Sequence, residues 1–231
     1  MLQRTVTCTA LLFAAALISA PPAHAQQTVN FTIGYFNPLD WSSREPGDVI
    51  NENQTFLLFN PDEFGGAAVG GEWLVGLGGF LEAGAGVSYT AQTVPSVYLD
   101  FIDSDGTEIE QDLHLRMTPF AFTVRVLPFG QSSPIQPYFG GGLAIINWKY
   151  RESGEFVDFG NNRQIFIDTF EATGNSTGAL VLGGVRFAGR RFTAGGEFRY
   201  QHATGDLPID FSAPRIDLGG WTFNLTAGAR F

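Results

Sequence analysis

Reading back from the C-terminus, Phe231, Ala229, Ala227, Leu225, Phe223 and Trp221 share one parity, while Arg230, Gly228, Thr226, Asn224 and Thr222 share the other. A two-residue period of this kind predicts a strand with one apolar face. The same period sets Phe192, Ala194, Gly196, Phe198 and Tyr200 against Thr193, Gly195, Glu197, Arg199 and Gln201. It sets Leu81, Ala83, Ala85, Val87 and Tyr89 against Glu82, Gly84, Gly86, Ser88 and Thr90. A fourth clear strand places Tyr138, Gly140, Gly142, Ala144, Ile146, Trp148 and Tyr150 opposite Phe139, Gly141, Leu143, Ile145, Asn147 and Lys149. Its aromatic face is expected to be the outer one.

Four weaker runs bring the count to eight. Val29, Phe31, Ile33 and Tyr35 alternate in the first, Val69, Gly71, Trp73 and Val75 in the second, and Val181, Gly183, Val185 and Phe187 in the sixth. In the fourth, about residues 113–127, Leu113, Leu115 and Met117 share one parity and Phe120, Phe122, Val124 and Val126 the other. A register shift near Pro119 is expected there, as a bulge would allow. Short connections at Gly78-Gly79, residues 128–134 and Gly189-Arg190 alternate with long polar ones at residues 37–66, 95–112, 151–176 and 203–214. That spacing predicts an all-β fold: an eight-stranded antiparallel up-and-down transmembrane β-barrel, with short turns at one end and long loops at the other. Phe223 to Phe231, at about 3.3 Å per residue and roughly 40° of tilt, rises about 23 Å, near the apolar band of about 25 Å that such barrels present. Aromatic girdles are expected from Phe80, Phe129, Tyr138, Phe187, Phe192 and Phe231 at one border, and from Tyr89, Trp148, Tyr150, Tyr200 and Trp221 at the other.

Composition fits a lipid-facing surface. Charged residues make up 16% of 231, below the roughly 25% of soluble domains, and a formal net charge of −10 argues against nucleic acid as a partner. Arg4, the apolar run over residues 11–20 and Ala23-His24-Ala25 read as an export signal cleaved after Ala25, leaving a barrel domain over residues 26–231. Cleavage removes Cys8, the only cysteine, so neither a disulfide nor a lipid anchor is expected.

Glu72, Glu82, Arg125, Lys149, Arg186, Glu197 and Arg199 project from strands whose other face is apolar. In a closed barrel they share one narrow lumen and must pair, because an uncompensated buried charge costs several kcal/mol. An eight-stranded barrel is just wide enough for its own side chains, so a plugged lumen and no open pore are expected. Nineteen of the 23 acids lie in the long loops, giving a solvated acidic outer surface or a divalent-cation-mediated contact with lipopolysaccharide phosphates. Asp105-Gly106 reads as a hairpin tip between extended strands, with Gly160-Asn161-Asn162 capping a similar extension.

The eight alternating strands, the segment Gln136-Pro137-Tyr138-Phe139-Gly140-Gly141-Gly142 and the ending Arg230-Phe231 resemble the small outer-membrane β-barrel superfamily of the OmpA transmembrane domain, OmpX and OmpW. The resemblance implies a monomeric envelope protein without cofactor or metal, inserted into Gram-negative outer-membrane lipid, lipopolysaccharide included. It also implies help from periplasmic chaperones and a barrel-assembly machinery that reads Phe223, Leu225, Ala227, Ala229 and Phe231. No residues follow the eighth strand, so the wall-binding domain of longer OmpA-like proteins is not expected. The role expected is structural or one of surface interaction, not enzymatic. The alternative is a lipid A deacylase-like hydrolase, since His202, Thr204 and Asp206 near the end of strand seven are similar to the His-x-Ser pair and carboxylate of those barrels, with Thr in place of Ser.

Overall fold

The computed structural model describes residues 26–103, 105–158, 160 and 163–231. The expected leader, residues 1–25, lies outside the described residues, as do Asn161 and Asn162 of the expected third loop tip. Eight long strands follow one another: β1 (Gln27–Pro38), β2 (Gly66–Gly76), β3 (Leu81–Ile102), β4 (Glu108–Val126), β5 (Ile135–Asp158), β6 (Gln164–Ala188), β7 (Phe192–His202) and β8 (Gly220–Arg230). Each pairs antiparallel with the next, and β8 pairs with β1, so the sheet closes on itself. Closure satisfies every interior ladder without water, which a sheet in hydrocarbon requires. Gly78 and Gly130, at φ 80° and 74°, make the left-handed bends of two short turns.

The ring is uneven in height. β1, β2, β7 and β8 have 11 or 12 residues, whereas β3 to β6 have 19 to 25. At about 3.3 Å per residue the long four outrun an apolar band of about 25 Å, so they continue as a wall beyond it. Over the common height, side chains such as Phe31, Val69, Phe122, Leu143, Val181 and Leu225 point outward and are exposed.

The expected register shift at Pro119 is absent. Val87 faces Phe120 and Thr90 faces Met117 in one unbroken register, and Pro119 itself lies opposite Ile146 on β5. The irregularity falls instead between Val97 and Ile102. What changes near Pro119 is the surroundings. Below it Phe120, Phe122 and Val124 face outward and Thr123 and Arg125 are buried inside; above it Leu113, Leu115 and Met117 are buried inside while Asp112, His114 and Arg116 face out. The chain keeps its pleat while its polarity inverts, because hydrocarbon surrounds one stretch and water the other.

The wall above the band encloses an apolar core. Val94, Leu113, Ile146 and Tyr150 meet Val49, Ile50, Leu57 and Phe64 from the β1–β2 connection, and Phe211, Ile216 and Leu218 from the β7–β8 connection. These two connections are therefore folded lids rather than the solvated polar loops expected. Burial of each large aliphatic side chain contributes about 1.5–3 kcal/mol. A five-residue helix, α1 (Val49–Asn53), carries the first lid, with the Asp48 carboxylate accepting from the Asn51 amide at 3.3 Å as its cap. Residues Thr204–Asp206 and Arg215–Asp217 form a small hairpin in the second.

Arginine substitutions separate the two environments. Phe122→Arg, on the lipid side, should cost about 2–4 kcal/mol in urea unfolding from lipid vesicles. Leu113→Arg should cost several kcal/mol by burying an unpaired charge. Thr169→Arg, outward on the upper wall, should stay within about 0.5 kcal/mol. Equal tolerance of Phe122→Arg and Thr169→Arg would remove the hydrocarbon band.

Candidate functional site

Alternation turns the polar parity of each strand inward, and within the band this places six of the seven expected lumen charges together. Glu72, Glu82, Arg125, Arg186 and Glu197 are buried and Arg199 is nearly so. Arg125 donates through Nη2 to Glu72 Oε1 at 2.5 Å and to Glu197 Oε2 at 2.7 Å. Arg199 donates to Glu197 Oε1 at 2.8 Å and lies 3.7 Å from Glu72 Oε1. The Tyr138 hydroxyl donates to Glu197 Oε2 at 3.2 Å, and the Arg125 guanidinium sits 4.8 Å from the Tyr138 ring centre. Nearer the short turns Arg186 pairs with Glu82 and donates to Gln136 Oε1 at 2.7 Å, with its guanidinium 5.9 Å from the same Tyr138 ring. Tyr138 thus joins two ion clusters into one column.

Lys149 is not part of it. The fifth strand is inverted relative to the sequence expectation: Tyr138, Trp148 and Tyr150 are buried inside, and Phe139, Leu143 and Ile145 face out. Lys149 therefore points outward, where its Nζ lies 2.6 Å from Glu171 Oε2. Without Lys149 the expected lumen charges are three carboxylates and three guanidiniums. Tyr138, Trp148 and Tyr150 also leave the expected girdles, while Phe80, Phe129, Phe187, Phe192, Phe231, Tyr89 and Trp221 remain exposed.

Above the ions the filling becomes aromatic. Trp148 donates to Ser176 Oγ at 2.9 Å, and a Cβ on either Gly174 or Gly205 would come within 2.6 Å of its indole. Both glycines are therefore set by close approach. Between the ions and this layer, a cavity of about 30 Å³ is lined in part by Glu72, Ser88, Pro119 and Arg199, room for about one water.

The lids bury polar groups that sequence reading placed in solvent. Asp48 accepts from Arg44 Nε at 2.5 Å and from the Asp217 amide at 2.7 Å, tying the first lid to the second. Glu152, also assigned to the acidic surface, is buried and accepts from Asn53 Nδ2 at 2.7 Å and the Tyr150 hydroxyl at 2.8 Å, and Asn53 Oδ1 in turn accepts from Ser212 Oγ at 2.5 Å. Burial pushes the Glu152 carboxyl above the usual carboxylate range, against the pull of those two donors.

The residues of the hydrolase alternative each face a different partner. His202 ends β7 facing outward, with Nε2 3.7 Å from Glu45 Oε1. Thr204 lies opposite Asp217, and Asp206 opposite Arg215, in the small hairpin. Among the described residues no hydrogen bond links His202, Thr204 and Asp206. Phe223, Leu225, Ala227, Ala229 and Phe231 line the outer face of the closing strand. At the tip of the β3–β4 hairpin Gly106 has φ 88°, and the Asp105 carboxylate accepts from the Thr107 amide and hydroxyl at 3.0 and 2.7 Å.

A closed antiparallel ring of eight strands, apolar outside over one band and ion-paired within, defines an eight-stranded transmembrane β-barrel. The crystal structure of the outer membrane protein OprG from Pseudomonas aeruginosa shares this fold at a TM-score of 0.54 and 11% identity, over 90% of this chain and 96% of that one. Neisserial surface protein A is similar at a TM-score of 0.47 and 14% identity, over 89% of this chain and 95% of that one. No family model and no curated protein sequence matches the chain.

Arg125→Met should destabilise the barrel by about 3–5 kcal/mol in urea unfolding, because Glu72 and Glu197 lose their shared partner. Adding Glu72→Leu, Glu197→Leu and Arg199→Met, which removes the whole cluster, should recover part of that loss, and failure to recover any would show that the ions act independently. The lids carry a pH dependence. Glu152 holds its proton in the folded state to higher pH than in the unfolded chain, so the stability it gives at acid pH is lost as pH rises from 4.5 toward the raised value. Glu152→Gln should flatten this slope, read as protease protection of residues 39–65 across that range.

Proposed function

We propose that this chain is an integral outer-membrane β-barrel protein with a structural or surface-interaction role in a Gram-negative envelope. The observation that carries this reading is the pairing of an exposed apolar band with a lumen filled by its own side chains. Arg125, held by Glu72 and Glu197 and stacked near Tyr138, occupies the middle of the lumen, where a conducting pore would need water. The lids then seal the wider end with apolar side chains rather than leaving a vestibule. On this reading the leader is cleaved, periplasmic chaperones and the assembly machinery deliver the chain, and the outward Phe231 strand is what that machinery reads. No cofactor takes part.

The lipid A deacylase reading is weaker, because His202 lies by Glu45 and not by Asp206. It predicts loss of an acyl chain from lipid A that depends on His202, whereas the structural reading predicts lipid A of unchanged mass with wild type or His202→Ala. In planar bilayers the wild type should give no conductance steps. Steady single-channel steps from the wild type would overturn the closed-lumen reading.

A further inference from the structure

The outward-facing positions of the eight strands carry few cations. Among the described residues they are Arg116 on β4 and Lys149 and Arg151 on β5, and all three belong to one strand pair. Arg116 and Lys149 are direct cross-strand partners, and Arg151 follows in the next outward row, opposite His114. Such partners stand about 5 Å apart, and rows two residues apart about 6.6 Å. The three charges thus fit a patch the size of one headgroup.

The height of the patch is set by its neighbours on the same two strands. Phe120 and Ile145 form the last apolar outward pair, Thr118 and Asn147 the next row, then Arg116 and Lys149. The cations begin about two rows above hydrocarbon, on the side of the long strands. Higher still, Asp112 and Glu110 restore negative charge.

The patch is under-neutralised. Glu171 on β6 pairs with Lys149 and stands opposite Arg151, so one carboxylate serves three cations; among the described residues no carboxylate lies within 4.0 Å of Arg116 or Arg151. His114 shares the patch, its proton affinity lowered first by burial and then by Arg151, Arg116 and Lys149, which disfavours its charged form. In a chain of net charge −10, a local excess of about two positive charges at the edge of the band stands out.

We infer that Arg116, Lys149 and Arg151 form a lateral binding site for the phosphate groups of an outer-leaflet glycolipid, at the height where its headgroup meets the barrel wall. The guanidiniums of Arg116 and Arg151 suit phosphate oxygens, and Lys149 supplies a point charge beside them. The flanking Phe120, Phe122 and Ile145 would lie along the acyl chains of the same lipid. The inference rests on the barrel spanning the outer membrane.

The test is binding of bisphosphorylated lipid A and of phosphate-free lipid A to the full chain in detergent micelles. Each cation near a charged lipid surface contributes about fivefold in affinity. The wild type should therefore prefer the phosphorylated lipid by at least about tenfold. Arg116→Gln/Lys149→Gln/Arg151→Gln should lose that preference, while Arg190→Gln/Arg191→Gln, at the opposite end, should keep it. Glu171→Gln should strengthen binding by freeing Lys149, a gain that no misfolded variant can mimic. The inference fails if the triple variant keeps the preference, or if inorganic phosphate displaces the lipid completely and marks a simple anion site. In either case an intact difference in gel mobility between unboiled and boiled protein would leave the barrel standing. Loss of that difference in the wild type would remove both.

Discussion

Arg125 keeps its proton under any condition a cell offers, yet it is 1% exposed at the centre of a narrow lumen. A charge so placed must be neutralised by groups held at fixed positions, and Glu72 from β2 and Glu197 from β7 do so from both sides. These three side chains, with Tyr138, therefore bind β2, β4, β5 and β7 together across the ring. Ladder hydrogen bonds hold each strand to the next, but they leave the cross-section free to flatten. The ion column fixes that cross-section, and the alternative packing of an empty lumen with lipid outside has no solvent to support it.

The inversion of polarity along β4 and β5 follows from the same chemistry with the surroundings exchanged. Within the band, hydrocarbon outside forces polar groups inward. Above it, water outside lets Arg116 and Lys149 face out, and the interior becomes an ordinary hydrophobic core built on Leu113, Ile146 and Tyr150. One continuous pair of strands thus belongs to two kinds of protein, a membrane barrel below and a soluble β-structure above, with no hinge between them.

Parity made most of the ring legible in the sequence, since lipid on one side and ions on the other give each strand two unlike faces. It failed on β5, where Phe139 and Leu143 meet lipid while Ile146 and Trp148 meet the core, so both faces read as apolar. The outward parity of Lys149, shared with Phe139, is the available signal, but the opposite parity carries Tyr138, Trp148 and Tyr150, so Lys149 resembles a lumen charge while Arg151 falls in the expected loop. The same extension explains the false bulge at Pro119, since a change of solvent and a slip of register leave one trace in the sequence. The lid residues Val49, Ile50, Phe211 and Ile216 have no period to betray them, and Glu152 counted as one more surface acid. Their burial depends on contacts about 100 to 170 residues apart in sequence, as Asn53 to Glu152 and Asp48 to Asp217 illustrate.

The bond between Asp48 and the Asp217 amide has a place in time as well as in space. The lid bearing Asp48 hangs between β1 and β2, and the one bearing Asp217 between β7 and β8, so the two sit on either side of the seam where the first strand meets the last. Pairing of β1 with β8 is what sets them side by side. Arg44 and Asp48 consequently act as a latch that engages only on a finished ring. Such a late contact leaves the rate of assembly untouched and slows the opening of the seam.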